Sequence, residues 1–457
     1  MKKSEFTATG ILLKIYLRNN KVITLLLILL PFLFAYAAAA SNIAILQTPE
    51  QLTTYITENQ GNALLGFIAA NTIAGATIWR IRISTAIITS ILSIVLIISN
   101  TRKDEEQGRL ELLRAGSVGL KAPLTAVLTK VFCTDLLGGF AMAVGFIAAG
   151  FPASGSIVAG LATALCGICF AAMAAIVAQV VPNARLTRGF SFGAIAFFFA
   201  WQTIANAIGN TKMLLWTPFG WCAYARPYAG ENYLLFGFAV PVIVLLTIIT
   251  YILSDRRDMG GSYLRERSGR VYARKSFKSP LALAWRQQRG MILVWVAVYA
   301  VMGLLIASLV PNINKMLEGT AFLPELSAIL GGAGSAFLAI LAYILTQVLT
   351  AYAIMAILRI REEEAMTRAE LVLSSAASRI RYVAGHLLLV FSGSAAAIAL
   401  FGFFIGDFNS CISRLPAVWL IASITVFLYG FAPRAAAPVS WGLFGAILLL
   451  EFLWEIK

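Results

Sequence analysis

RKDEEQGRLELLRAG, residues 102–116, puts eight charged side chains into fifteen positions of a chain that is only 12% charged overall. Residues 83–101 before it and 136–184 after it contain no Lys, Arg, Asp or Glu. Apolar runs of that length cross a ~30 Å hydrocarbon layer as helices of ~20 residues. They are about twice as long as the strands of a membrane β-barrel, which excludes that class. The charged island therefore reads as a loop between two spans of an all-α polytopic membrane protein. A 60% apolar composition and a mean hydropathy of +0.83 over the 457 residues agree with this.

Eleven spans are expected, at about 22–40, 81–100, 127–149, 156–181, 188–208, 233–253, 291–310, 336–358, 387–406, 417–432 and 441–454. The first is preceded by a basic segment and is longer than a signal-peptide core, so it reads as a retained helix. With the N-terminus cytoplasmic, 29 of the 36 Lys and Arg residues fall on the inner side. Arg80, Arg82, Lys212, Arg226, Lys315, Arg414 and Lys457 fall outside. The net charge of +15 then belongs to an inner face opposed to anionic membrane lipid, and no nucleic acid is required.

The chain repeats itself. LKIYLRNNK (13–21) corresponds to LALAWRQQR (281–289), with Asn19–Asn20 matching Gln287–Gln288 at an offset of 268. Both segments read as amphipathic elbow helices at the membrane interface. The opening stretch recurs as RIREEEAMTRAELVLSSAASR (359–379), where Glu105, Arg109, Glu111 and Leu112 match Glu364, Arg368, Glu370 and Leu371 at an offset of 259. FGAI at 192–195 returns at 444–447, an offset of 252. Two homologous parallel halves, 1–253 and 290–457, follow from these offsets, joined by a basic cytoplasmic linker at 254–289. The linker has ten Lys/Arg against three acids and reads as a solvated connector facing lipid headgroups. The repeat also predicts a twelfth span as the partner of 233–253.

Each copy of the charged stretch is expected to be a short surface helix in the loop joining the second and third spans of its half. Glu105–Arg109 and Glu364–Arg368 are expected to pair at i,i+4. Such a pair contributes only about 0.3–0.5 kcal/mol, too little to account for the repetition. A docking surface for a cytoplasmic partner accounts for it better.

The EExGRxELLxAG pattern, once in each half, resembles the permease subunits of bacterial ABC exporters, in particular those of polyketide antibiotics, which include the tetronasin-resistance transporters. TPFGWCAYARPYAGENY (217–233) is similar to that group's outer-face stretch between its fifth and sixth helices. The resemblance implies a twelve-helix exporter of hydrophobic compounds in the bacterial plasma membrane. Its loop helices would dock on separate ATP-binding cassette subunits, in two copies, which bind the ATP and Mg; this chain would bind no cofactor itself and would not be an enzyme. It also implies one coupling helix carrying Glu105, Glu106, Gly108, Arg109 and Glu111, and a second carrying Glu363, Glu364, Arg368 and Glu370. The second copy departs from the pattern at Ala365 and Thr367, which replace Glu106 and Gly108, so a weaker second docking site is expected.

No Gly-Lys dipeptide occurs, so the chain has no phosphate-cradling P-loop. The single histidine, His386, allows no metal cluster or Ser-His-Asp constellation, and reads as a packing residue. Asp135, Gln202, Gln347 and Glu451 are polar residues at membrane depth and candidates for lining a translocation path. A secondary carrier and a membrane scaffold or sensor are the alternatives. EEQGRLELL differs from the G-x-x-x-D-R loop of the major facilitators, and neither alternative needs a duplicated docking loop.

Overall fold

A computed structural model describes residues 5–60, 65–114, 116, 118–257, 261–264, 279–317, 333–365, 367–374 and 377–455. The chain is all-α and forms two compact units, residues 1–268 and 269–457. Among the described residues, nine helices are long and apolar enough to cross a membrane.

In the first unit the order is α1 (Thr9–Arg18), α2 (Lys21–Ile45), α3 (Pro49–Asn59), α4 (Ile73–Asn100), α5 (Arg102–Glu106) and α6 (Arg109–Arg114). Then follow α7 (Ala122–Ala148), α8 (Ala153–Val180), α9 (Ala184–Ile208), α10 (Thr211–Leu214), α11 (Trp221–Ala225) and α12 (Leu234–Asp255). The second unit holds α13 (Pro280–Leu317), α14 (Ala333–Ala365), α15 (Arg368–Leu373), α16 (Arg379–Ile405), α17 (Phe408–Ile412), α18 (Leu415–Phe431) and α19 (Pro433–Glu455). All eleven expected spans are helical, although α9 and α19 fall outside the nine. Of the linker, residues 258–260 and 265–278 lie outside the described residues.

Packing repeats between the units. In the first, α2 lies on α7 and α4 on α8; in the second, α13 lies on α16 and α14 on α18. Lipid offers little hydrophobic drive between helices, so close packing relies on small residues. α7 and α8 meet at Gly139 and Gly160, where a Cβ on either would fall 2.4 and 2.1 Å from the other's carbonyl oxygen. Cys166 and Cys169 are buried on α8 and serve this packing.

Two expectations need correction. The second span begins at Ile73, not near 81, because Thr72 caps it by accepting from the Gly75 amide. Arg80 and Arg82 are therefore inside a helix. The buried Arg82 donates to the Leu65 and Phe67 carbonyls, and Arg80 donates to Asn42 Oδ1. Secondly, only the first elbow is a separate helix. Asn20 sits at φ 56°, a left-handed conformation that asparagine tolerates, and it parts α1 from α2. At the matching position, Gln287–Gln288 continue the 38-residue α13 without a break, since glutamine is a good helix former.

Both elbow positions are nevertheless tied down. Lys130 Nζ, buried on α7, donates to the Tyr16 and Asn19 carbonyls at 2.7 and 3.0 Å, capping the C-terminal end of α1. In the second unit, Gln288 Nε2 lies 2.7 Å from His386 Nδ1, so the lone histidine joins α13 to α16 by a hydrogen bond. Lys130→Met is expected to free two carbonyls and cost about 1–3 kcal/mol. Faster amide exchange confined to residues 9–20 would report it.

Candidate coupling loops

Each unit carries a bent helical knee where its second span leaves the membrane. Gly108 is at φ 69° and Thr367 at φ 58°, so both copies use a left-handed residue to end one helix and start the next. Glycine adopts this conformation without strain, whereas threonine must be held there. The threonine therefore preserves the bend, and the departure at 367 leaves the geometry of the second copy intact.

The bend changes the ion pairs. An unbroken helix would bring Glu105 to Arg109 and Glu364 to Arg368. Instead the chain doubles back, and Arg109 Nη1 reaches Asp104 at 3.2 Å while Arg368 Nη1 reaches Glu363 at 3.4 Å. Asp104 and Glu363 are themselves a pair at offset 259, and both are buried. The repeated unit thus begins one acid earlier than the sequence motif indicated.

Glu105 faces inward. It takes Arg102 Nη1 at 2.7 Å and Arg257 Nη2 at 3.0 Å, and both guanidinium groups also donate to the Gly261 carbonyl at 3.1 Å. Glu106 Oε1 accepts from the Ala184 amide at 2.6 Å, adding a negative charge to the positive end of α9. The start of the linker is therefore not a free connector: Arg257 and Gly261 clamp the first knee, and the Leu264 amide bonds the Val180 carbonyl. Lys121 bridges Glu5 at 2.8 Å and Asp255 at 3.0 Å. Glu5 first, then Asp255, holds its ammonium above the usual lysine range.

In the second knee Glu363 also accepts from Gln287 Nε2 at 3.1 Å, and Glu364 accepts from the Tyr429 hydroxyl. Arg257, Gln287 and Tyr429 lie outside both charged stretches in sequence, so the motif did not single them out, and Arg102 opens the first stretch without a matched role. Only the register of Asp104 with Glu363 was readable.

What each knee presents outward is nearly identical. Leu112 is 77% exposed and Leu371 78%, and the side chains of Arg109 and Arg368 are 61% and 62% exposed. Glu111 and Glu370 are also exposed. An apolar knob with one cation and one anion beside it is thus offered twice.

Asp135 is fully buried, accepts from Ser93 Oγ at 2.7 Å, and lies against Thr89 and Gly167. At offset 259 stands Ser394, to which Trp419 Nε1 donates at 3.0 Å. Gln202 is fully buried on α9, Gln347 is half-buried on α14, and the Glu451 side chain lies outside the described residues.

One comparison decides what these repeated knees belong to. The multidrug efflux system permease protein Rv1217c of Mycobacterium tuberculosis (strain ATCC 25618 / H37Rv) is 33% identical over 99% of this chain and 86% of its own length. The chain belongs to this family of multidrug efflux permeases. Residues 277–457 also match the family described as Multidrug efflux system permease Rv1217c, C-terminal domain. The permease match thus takes in the second knee and all of α13 to α19. As a member of this family, the chain is a multi-pass transport subunit.

Proposed function

We propose that this permease is the membrane-spanning part of an ATP-driven exporter, with both knees on the cytoplasmic side. Each knee seats on one of two ATP-binding subunits, which bind the ATP and Mg. Closure of those subunits around ATP pushes the knees and rocks the helix bundles. The cargo is hydrophobic, of the polyketide-antibiotic type, and leaves across the plasma membrane. The observation carrying this reading is the matched pair of exposed leucines, each with an arginine three residues before it and a glutamate one residue before. An exposed leucine on a charged loop costs solubility, and a buried anchor within a polar rim is what a protein interface uses.

The test is Leu112→Asp with Leu371→Asp. Neither leucine is buried in the chain, so yield and melting behaviour should stay at wild type. The double variant is expected to lose co-purification with its ATPase and the drug resistance it confers. Retention of both, or export by the purified chain alone on an ion gradient, overturns the reading.

A further inference from the structure

The repeat brings the same five register positions to a space beneath each knee. In the first unit Glu105, Leu110, Leu120, Pro123 and Leu124 line it; 259 residues on, Glu364, Ala369, Arg379, Tyr382 and Val383 line its counterpart. The two spaces differ greatly in size. The first holds about 40 Å³, because Arg102, Gln179 and Arg257 project into it. The second is a groove of about 590 Å³, within the size range of small-molecule sites.

The groove has the character of an amphiphile site. Leu373, Val383, Leu387 and Val426 give it an apolar wall, above a packed base of Ile360, Ala369 and Tyr382. Ile380 and Phe431, 81% and 80% exposed, flank it on α16 and α18. Arg379 lines it and makes no ion pair among the described residues, and the exposed Arg381 and Arg434 lie close by in sequence. The single acid of the lining, Glu364, is engaged by the Tyr429 hydroxyl. An apolar slot with an arginine rim at the ends of α16 and α18 matches a headgroup phosphate joined to an acyl chain. Basic residues at a membrane surface each favour anionic lipid.

We propose that this groove binds an anionic phospholipid of the inner leaflet, with its phosphate at Arg379 and one acyl chain along Val383, Leu387 and Val426. Bound there, the lipid rests against Ala369, Leu373 and the Glu364–Tyr429 bond. It braces the second knee as Arg257 and the linker brace the first. The inner-leaflet placement and the bracing role rest on the reading of the knees as cytoplasmic coupling elements; lipid binding in the groove does not.

The test uses the full-length chain, without an ATPase, in nanodiscs of phosphatidylcholine with a minor fraction of phosphatidylglycerol. Co-purifying lipid is then measured by mass spectrometry after exchange into mild detergent. Wild type should retain phosphatidylglycerol above its fraction in the disc. A Cβ at Gly430 meets nothing within 4 Å and Ala384 is exposed, so Gly430→Leu with Ala384→Trp fills the groove without strain. That variant, and separately Arg379→Gln, should lower the excess roughly fivefold or more. Unchanged retention in the filled variant overturns the site. Equal loss of both lipids on filling, with no effect of removing Arg379, overturns the anionic preference. Displacement of the lipid by a cationic drug that binds more tightly once Arg379 is gone makes the groove a cargo port and also overturns the proposal. If lipid is retained as expected but the leucine variants still hold the ATPase, the coupling reading alone fails.

Discussion

Gly160→Leu is expected to abolish folded permease. A Cβ on Gly160 would fall 2.1 Å from the Gly139 carbonyl oxygen, and one on Gly139 would fall 2.4 Å from the Gly160 carbonyl oxygen. These are backbone atoms in the middle of two long helices, so no rotamer change relieves the clash. Overpacking in a core that can adjust costs about 1–3 kcal/mol; here α7 and α8 must separate, so a larger loss follows. α8 also carries α4 and α12 on its other faces, so the displacement propagates through the first unit. The monodisperse peak in fluorescence-detected size exclusion should disappear. Gly430→Leu on α18, where a side chain has open space, should leave the peak unchanged. A folded Gly160→Leu protein would show that the helices are free to slide, contrary to the close approach described.

Glu105→Lys is expected to release the first knee and eliminate drug resistance. The carboxylate is 11% exposed and meets two arginines, one of them 2% exposed. Removing one partner of a buried ionic cluster costs about 3–5 kcal/mol, and a lysine would add a third cation. The cost falls on the loop, not on the hydrophobic core, so the protein should still purify while protease cuts within 102–114. Glu105→Arg combined with Arg257→Glu should recover part of both protease resistance and export. Glu364→Lys should be milder, since Glu364 is tied to the Tyr429 hydroxyl and not to a pair of arginines. Equal sensitivity of the two positions would contradict the structural difference between the knees.

The sequence made the spans and the repeat legible because both rest on long-range composition: apolar runs, and two charged islands at an offset of 259. The bend within each island was less legible. Gly108 hints at a left-handed residue, but nothing in Thr367 does, and the i,i+4 pairing expected of a continuous helix gave way to Asp104–Arg109 and Glu363–Arg368. The clamp on Glu105 comes from Arg257, 152 positions away, in a stretch whose basic character suggested only lipid attraction. The buried arginine on α4 was hidden for a similar reason. Its charge implied solvent, whereas the carbonyls of 65 and 67 solvate it inside the protein. The expected elbow pair failed on one residue type: asparagine permits the break that glutamine does not.

That last difference has a mechanical meaning. At ~1.5 Å per residue, α13 runs ~46 Å from Pro280 to Val310, with no internal proline before Pro311. Displacing its Pro280 end tilts that whole stretch with it, as one stiff lever. The corresponding piece of the first unit is hinged at Asn20, so a similar displacement is absorbed at the joint and reaches α2 attenuated. Two identical strokes from below would therefore produce unequal motions above, and the half built on the unjointed shaft would travel farther.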